Sequence, residues 1–359
     1  MVRSTLVLAL ALVAGCSGCS IPYLLRAGIE QAKILNSREP ISDLIRRPST
    51  PEETRDKLRL VLDARDFAAR YLNLDAGDSY TTFARLESDT LALVLSAARK
   101  DEFRAHSWWF PLVGSIPYKG FFDQESARRE LRALERRGYD TYLRPTAAFS
   151  TLGWFADPLY SSLLRYHRVS LVGTVIHELL HNTVYLPDQA AFNESLATFV
   201  GARGSIAFFC GREGEESAGC RTASSLWRDD LRFGNFLDEL ISDLERLYGR
   251  DELSKRETLR RREVIFVEAR SRFREELRPA LEAATFAGFE HTPLNNATLI
   301  SRRLYYDRLD LFEEIYRAMR ARGKRLPEIV AAIIAAAEST DDPWLGVEEL
   351  SRRFSSPRR

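Results

Sequence analysis

Histidine and cysteine are scarce in this chain. Its 359 residues hold five of the first and four of the second. No surplus of charge exists either, since 52 lysines and arginines face 51 aspartates and glutamates, a formal net charge of +1. Without a basic excess the electrostatic footprint of a nucleic-acid binder is missing, and no nucleic-acid partner is expected. The N-terminal apolar run, Leu6 to Val13, falls short of the roughly 20 residues that span a bilayer. No internal repeat stands out, which argues against a solenoid. The only biased tract is the small, apolar run from Val330 to Ala337. What remains is the composition of an ordinary globular protein with an ample core: 45% hydrophobic and 29% charged residues.

The first residues read as an export signal. Met1 to Arg3 supply a short positive region, and Leu6 to Val13 the apolar core. Val13-Ala14-Gly15-Cys16 resembles a bacterial lipoprotein box. Residues 1–15 are then a lipoprotein signal peptide. The product begins at Cys16, carries lipid there and is tethered to a membrane facing the periplasm. Several acyl chains would make that anchor stable. An aspartate after the cysteine is the usual inner-membrane retention signal, so Ser17 favours the outer membrane. Cys19 is a poorer second candidate. A plain secretory signal with a coincidental cysteine is the alternative. The other two cysteines, Cys210 and Cys220, bracket a polar, glycine-rich stretch read as a loop. In an oxidising compartment they are expected to pair; no further Cys or His nearby suggests a metal site.

Two of the five histidines, His177 and His181, stand four positions apart in Val175-Ile-His-Glu-Leu-Leu-His-Asn-Thr-Val184. On a helix this puts both imidazoles on one face, a turn apart. Glu178 can reach toward an ion held by the pair without ligating it. The His-Glu-x-x-His arrangement is that of zinc peptidases, with the glutamate as general base. The bare pattern also occurs by chance, as a core helix with two satisfied histidines. Apolar flanks from Leu171 to Val184 predict a buried helix, about Tyr166 to Tyr185. Pro187 and Asp188 end it, Asp188 serving as cap for a second helix. That second helix carries Glu194, the expected third ligand. Two histidines and a glutamate leave an open coordination position for water, as a catalytic zinc needs. One Zn2+ is the expected cofactor and a peptide the expected substrate.

Along the rest of the chain, helices are expected over about 20–39, from Pro51 (capped by Thr50) to Tyr71, over Gln124–Arg137 (capped by Asp123), then 224–248, 252–287, 296–322 and 327–337. Thr90 to Ser96 and Thr141 to Arg144 alternate as strands, and 107–122 reads as extended segments and turns. A small sheet thus precedes the metal helices (about 90–209), and a helical part follows (about 222–354). The expected fold is α+β, predominantly helical, one domain over residues 16–359.

The segments Trp109 to Gly114, Pro117 to Phe122, Ser150 to Pro158, His177 to His181 and Phe192 to Ala197 resemble a bacterial aminopeptidase family of exported, zincin-like lipoproteins. The resemblance as a whole covers about residues 20 to 320. The resemblance implies a gluzincin-like metallopeptidase core, with His177, His181 and Glu194 as ligands and Glu178 as catalytic base. In better-known gluzincins the third ligand lies further downstream, so the short gap implies a tighter helix-loop-helix here. Transition-state or substrate contacts are left among Tyr118, Tyr305, Tyr306, His291 and His167. Gly153 and Trp154 lie in a stretch that is either an edge strand pairing with substrate or a core strand. Asn182 and Asn193 are candidate supports of the ligands, and Asp157 a candidate to orient a ligand histidine. Other functions are a non-catalytic metal-binding envelope lipoprotein, or a metal-dependent amidase or endopeptidase acting on cell-wall peptides.

Overall fold

The computed structural model describes residues 34, 36–86, 91–110, 114–146, 156–283 and 285–355. The lipoprotein box with Cys16 and the Gly153-Trp154 stretch lie outside them. Strand β1 (Glu39–Pro40) leads into α1 (Ile41–Arg46) and α2 (Glu52–Arg70). Helix α2 buries Leu58, Val61, Ala64 and Ala68, one stripe at helical spacing. Its cap position is Pro51, one residue after the expected Thr50.

The strands come next: β2 (Thr82–Ala84), β3 (Ala92–Arg99), β4 (Trp108–Phe110), β5 (Gly114–Ile116) and β6 (Tyr118–Phe121). Helix α3 (Gln124–Arg136) starts at Asp123, whose carboxylate accepts the Glu125 and Ser126 amides as the sequence predicts. Gly138, with φ of 84°, turns the chain into β7 (Tyr139–Thr146). In the antiparallel sheet β6-β3-β7, Ser96 faces Tyr118 and Tyr142, and Val94 faces Gly120 and Arg144. Opposed residues share a face, so Tyr118, Tyr142 and Arg144 all project to one side. Leu95 and Ala97 project to the other, where they pack with Ala127 and Leu134 of α3. A short β8 (Leu159–Tyr160) runs parallel to β2, and a 3-10 turn, Ser161–Arg165, follows.

From here the chain is helical: α4 (Arg168–Thr183), α5 (Ala190–Glu213), α6 (Ala218–Tyr248), α7 (Lys255–Arg272), α8 (Asn296–Tyr306), α9 (Leu309–Arg320), α10 (Leu326–Glu338) and α11 (Pro343–Ser355). The main core joins α2, α4, α5 and α9 to α11. A second, phenylalanine-rich core lies between α6 and α7, with Phe233, Phe266, Phe273 and Phe289 fully inside. The architecture is α+β and mostly helical, as expected. Among the described residues no helix is long and apolar enough to cross a membrane.

Several boundaries differ from expectation. The stretch between Cys210 and Cys220 is not a loop: α5 runs through Glu213 and α6 starts at Ala218, leaving only a turn at Gly214, whose φ is 92°. The two cysteines are bonded across that turn, Cα atoms 4.6 Å apart. The helix expected over 252–287 passes through a π turn at Phe273–Leu277 and stops at Ala280, after Pro279. The helix expected over 296–322 is two helices. The Ser195 hydroxyl, on α5, donates to Leu304 O and accepts from the Asp307 amide, each at 3.1 Å. It takes the amide that would continue the helix, and Arg308 turns with φ of 53°. Helix α11 was not resolved as a separate helix in the sequence.

Candidate metal centre

Burial of Val172, Val175, Ile176, Leu179 and Leu180 sets the rotation of α4 in the core, and so aims His177 and His181 the same way. Their rings stand 5.0 Å apart, nearly perpendicular. The chain leaves α4 at Val184 in extended conformation. It is brought back by Asn193, whose side chain accepts from Leu186 N at 3.0 Å and donates to Leu186 O at 2.7 Å. This clamp fixes the loop against the first turn of α5. Asp188 does not cap α5 as expected; Gln189 occupies that place, and the Asp188 carboxylate accepts the Ser115 amide at 2.6 Å. Close approach of α4 and α5 needs glycine. A Cβ on Gly201 would lie 2.7 Å from Gly173 O and 3.2 Å from His177 Cβ.

Glu194 is thereby carried between the two imidazoles. Its Oε2 lies 3.3 Å from His177 Nε2 and 3.7 Å from His181 Nε2. One donor atom from each residue falls within 4.8 Å of the others. Burial pushes the Glu194 carboxyl up, but the facing imidazoles outweigh it and hold it well below the usual carboxylate range. Burial lowers the His181 imidazole, and Glu194 reverses this to a net rise. Two imidazole nitrogens and one carboxylate oxygen, with no ammonium or guanidinium among them, fit a small divalent ion such as zinc. Glu178 sits beside this cluster without joining it. Among the described residues no hydrogen bond or ion pair engages its carboxylate, and burial pushes its proton affinity up.

Residues 22–345 match a family model described as "Putative aminopeptidase". The chain belongs to that family. No curated protein and no solved structure matches it.

In this aminopeptidase-family chain two of the candidate contact residues reach the cluster. Tyr118, from β6, places its hydroxyl 3.4 Å from Glu194 Oε1. Tyr305, from α8, stacks on His177 with ring centroids 6.2 Å apart. The others lie elsewhere. Tyr306 turns into the aromatic cluster of Phe233 and Phe286. His291 is exposed at the end of a 3-10 turn, Ala287–Glu290, its amide bonded to Gly288 O. His167 caps the start of α4 through Val169 N, roughly 15 Å along the helix from His177 at 1.5 Å per residue. Asn182 does not support a ligand; its amide donates to Ser79 Oγ at 3.2 Å. Among the described residues the buried Nδ1 of His181 has no hydrogen-bond partner, so Asp157 does not orient that ring. Asp157 is itself buried and helps raise the Glu178 carboxyl.

Sequence reasoning missed two residues here. Arg144, on β7, donates to Tyr305 Oη at 3.2 Å and to Ser301 Oγ at 3.3 Å. Its guanidinium lies over the Tyr305 ring. Tyr80, buried, has its phenol pushed up by burial and by Glu178. Strand register places Arg144 and a left-handed backbone (φ 61°) places Tyr80; neither carries a local sequence signal. A cavity of about 400 Å³ opens beside the cluster, lined among others by Thr174, His177, Glu178, Tyr305, Tyr306 and Asp230.

Proposed function

We propose that this protein is a zinc-dependent peptidase of the bacterial envelope. His177, His181 and Glu194 hold one Zn2+, and Glu178 is the general base. The observation that carries this reading is the convergence of three metal-binding side chains in one cluster, whose His177 lines an open cavity together with Glu178, a carboxylate that no hydrogen bond or ion pair engages among the described residues. A bound zinc ion supplies an acidified water and polarises the peptide carbonyl. Glu178 takes the proton and returns it to the leaving amine. A carboxyl with raised proton affinity suits both halves of that exchange. The hydroxyls of Tyr118 and Tyr305 are donors for the oxygen on which negative charge develops. Arg144 fixes the direction of the Tyr305 hydroxyl through its hydrogen bond. The family supports peptide hydrolysis, and the export signal with Cys16 supports a lipid-anchored enzyme acting on peptides outside the cytoplasm, on the outer membrane in preference to the inner.

A specific test is hydrolysis of a peptide library by purified protein with and without a chelator, read by mass spectrometry. The account expects cleavage that disappears with chelation and returns on adding zinc. Pairing each peptide with its N-acetylated form separates removal of N-terminal residues from internal cleavage. Undiminished cleavage after complete metal removal would refute the reading.

A further inference from the structure

Asp229 and Asp230 are neighbours on α6 with opposite circumstances. Asp229 is fully buried and amply satisfied. It accepts from the amides of Glu282 and Ala283 at 2.8 Å, from Thr285 Oγ1 at 3.0 Å, and pairs with Arg232 at 3.2 Å. It ties the segment after α7 to α6, and that is a structural task. Asp230 is rotated about 100° around the helix and lines the cavity that also holds His177 and Glu178. Among the described residues it makes no hydrogen bond and no ion pair. Arginines on the surrounding helices are engaged elsewhere: Arg228 and Arg232 with Glu282, and Arg302 over Phe233 and Phe289.

A partly sequestered carboxylate without a partner costs stability. Burial, and Asp229 next to it, push the Asp230 carboxyl up to about 8. The cavity around it explains what could complete the pair. Its walls are small along α4 and α5 (Gly173, Gly201, Ala202) and apolar on α6 (Leu226, Trp227). An aliphatic chain fits such walls, and a positive end would meet the Asp230 carboxylate on α6, away from the Glu178 carboxylate on α4 that serves the chemistry.

Resting on the peptidase reading above, we infer that Asp230 is a specificity-determining residue of the substrate cavity, where it binds a cationic group of the substrate while the scissile bond lies at the Glu178 end. The shared chemistry is an alkylammonium or guanidinium. It comes either from a lysine or arginine side chain or from the free N-terminus of the peptide.

The test has two readouts. The first is binding, by calorimetry, to zinc-loaded Glu178→Gln protein and to the same protein carrying Asp230→Asn. The probes are a short lysine-containing peptide, its norleucine counterpart, and the N-acetylated form of each. The second is kcat and KM of the wild-type and Asp230→Asn proteins on the same four peptides. Expected is a preference of about tenfold or more for the cationic member, expressed mainly in KM and lost in Asp230→Asn with folding and zinc content unchanged. A preference for lysine over norleucine assigns the side chain as source; loss on acetylation assigns the N-terminus. The inference is overturned if wild-type protein ignores both cations, or if Asp230→Asn leaves the preference intact. If no peptide is cleaved by wild-type protein but cationic peptides bind through Asp230, the peptidase reading falls and the cation site stands.

Discussion

At the scale of single residues, the candidate ligand cluster was legible because its spacing is local. His177, His181 and Glu178 lie within one helical turn and a residue, and the break at Pro187 places Glu194 early on the next helix. Choosing among Tyr118, Tyr305, Tyr306 and His291 was not possible, since of two adjacent tyrosines on α8 that both line the cavity only Tyr305 stacks on His177, while Tyr306 packs on Phe233 and Phe286. Asp229 and Asp230 differ in the same way. Two outcomes follow here. Tyr305→Phe should lower kcat by about tenfold or more with little change in KM, the mark of a donor used in the transition state; an unchanged kcat would leave Tyr118 as the donor. The second concerns pH. A carboxyl whose folded pKa exceeds its unfolded one costs stability when ionised. For Asp230 the cost is absent below the ordinary aspartate range and complete above about 8. Asp230→Asn should therefore melt higher than wild type at pH 9, and the gain should vanish by about pH 4. Equal melting at both ends would mean that the carboxyl is not held out of water.

At the scale of elements, hydrophobic periodicity showed α2, α3, α4 and the strand nature of β3 and β7. It could not show where helices break for tertiary reasons. The interruption between α8 and α9 depends on Ser195, more than a hundred positions earlier in the chain. The α4–α5 crossing depends on Gly173 and Gly201 meeting face to face, which neither helix reveals alone. Gly201→Ala forces a Cβ against Gly173 O and against His177. It should cost about 1–3 kcal/mol of stability and weaken zinc binding by moving His177. Denaturant midpoints with zinc titrations check both effects. A variant with wild-type stability and zinc affinity would show that the crossing has slack.

Over the whole molecule, composition and alternation gave the α+β, mainly helical class, but not the β6-β3-β7 order. That order rests on long-range pairing, and it alone aims Tyr118 and Arg144 at α8 and the metal centre. The disulfide joins the end of α5 to the start of α6, close in sequence and far from the ligands. Its reduction should lower unfolding stability by roughly 2–3 kcal/mol on loop-entropy grounds and leave zinc stoichiometry unchanged; loss of zinc on reduction would show coupling that this arrangement does not predict. Buried Glu313 on α9 joins Arg203 of α5, Trp227 of α6 and Arg317, so the helical half locks onto the metal helices from behind. The fold thus packs the cluster from behind and presents its His177 to the cavity. The most direct test is the peptide-cleavage rate of zinc-loaded Glu178→Gln protein relative to wild type. The account predicts a fall of about 10²- to 10⁴-fold with one zinc still bound per chain, whereas cleavage at the wild-type rate by the zinc-loaded variant would contradict it.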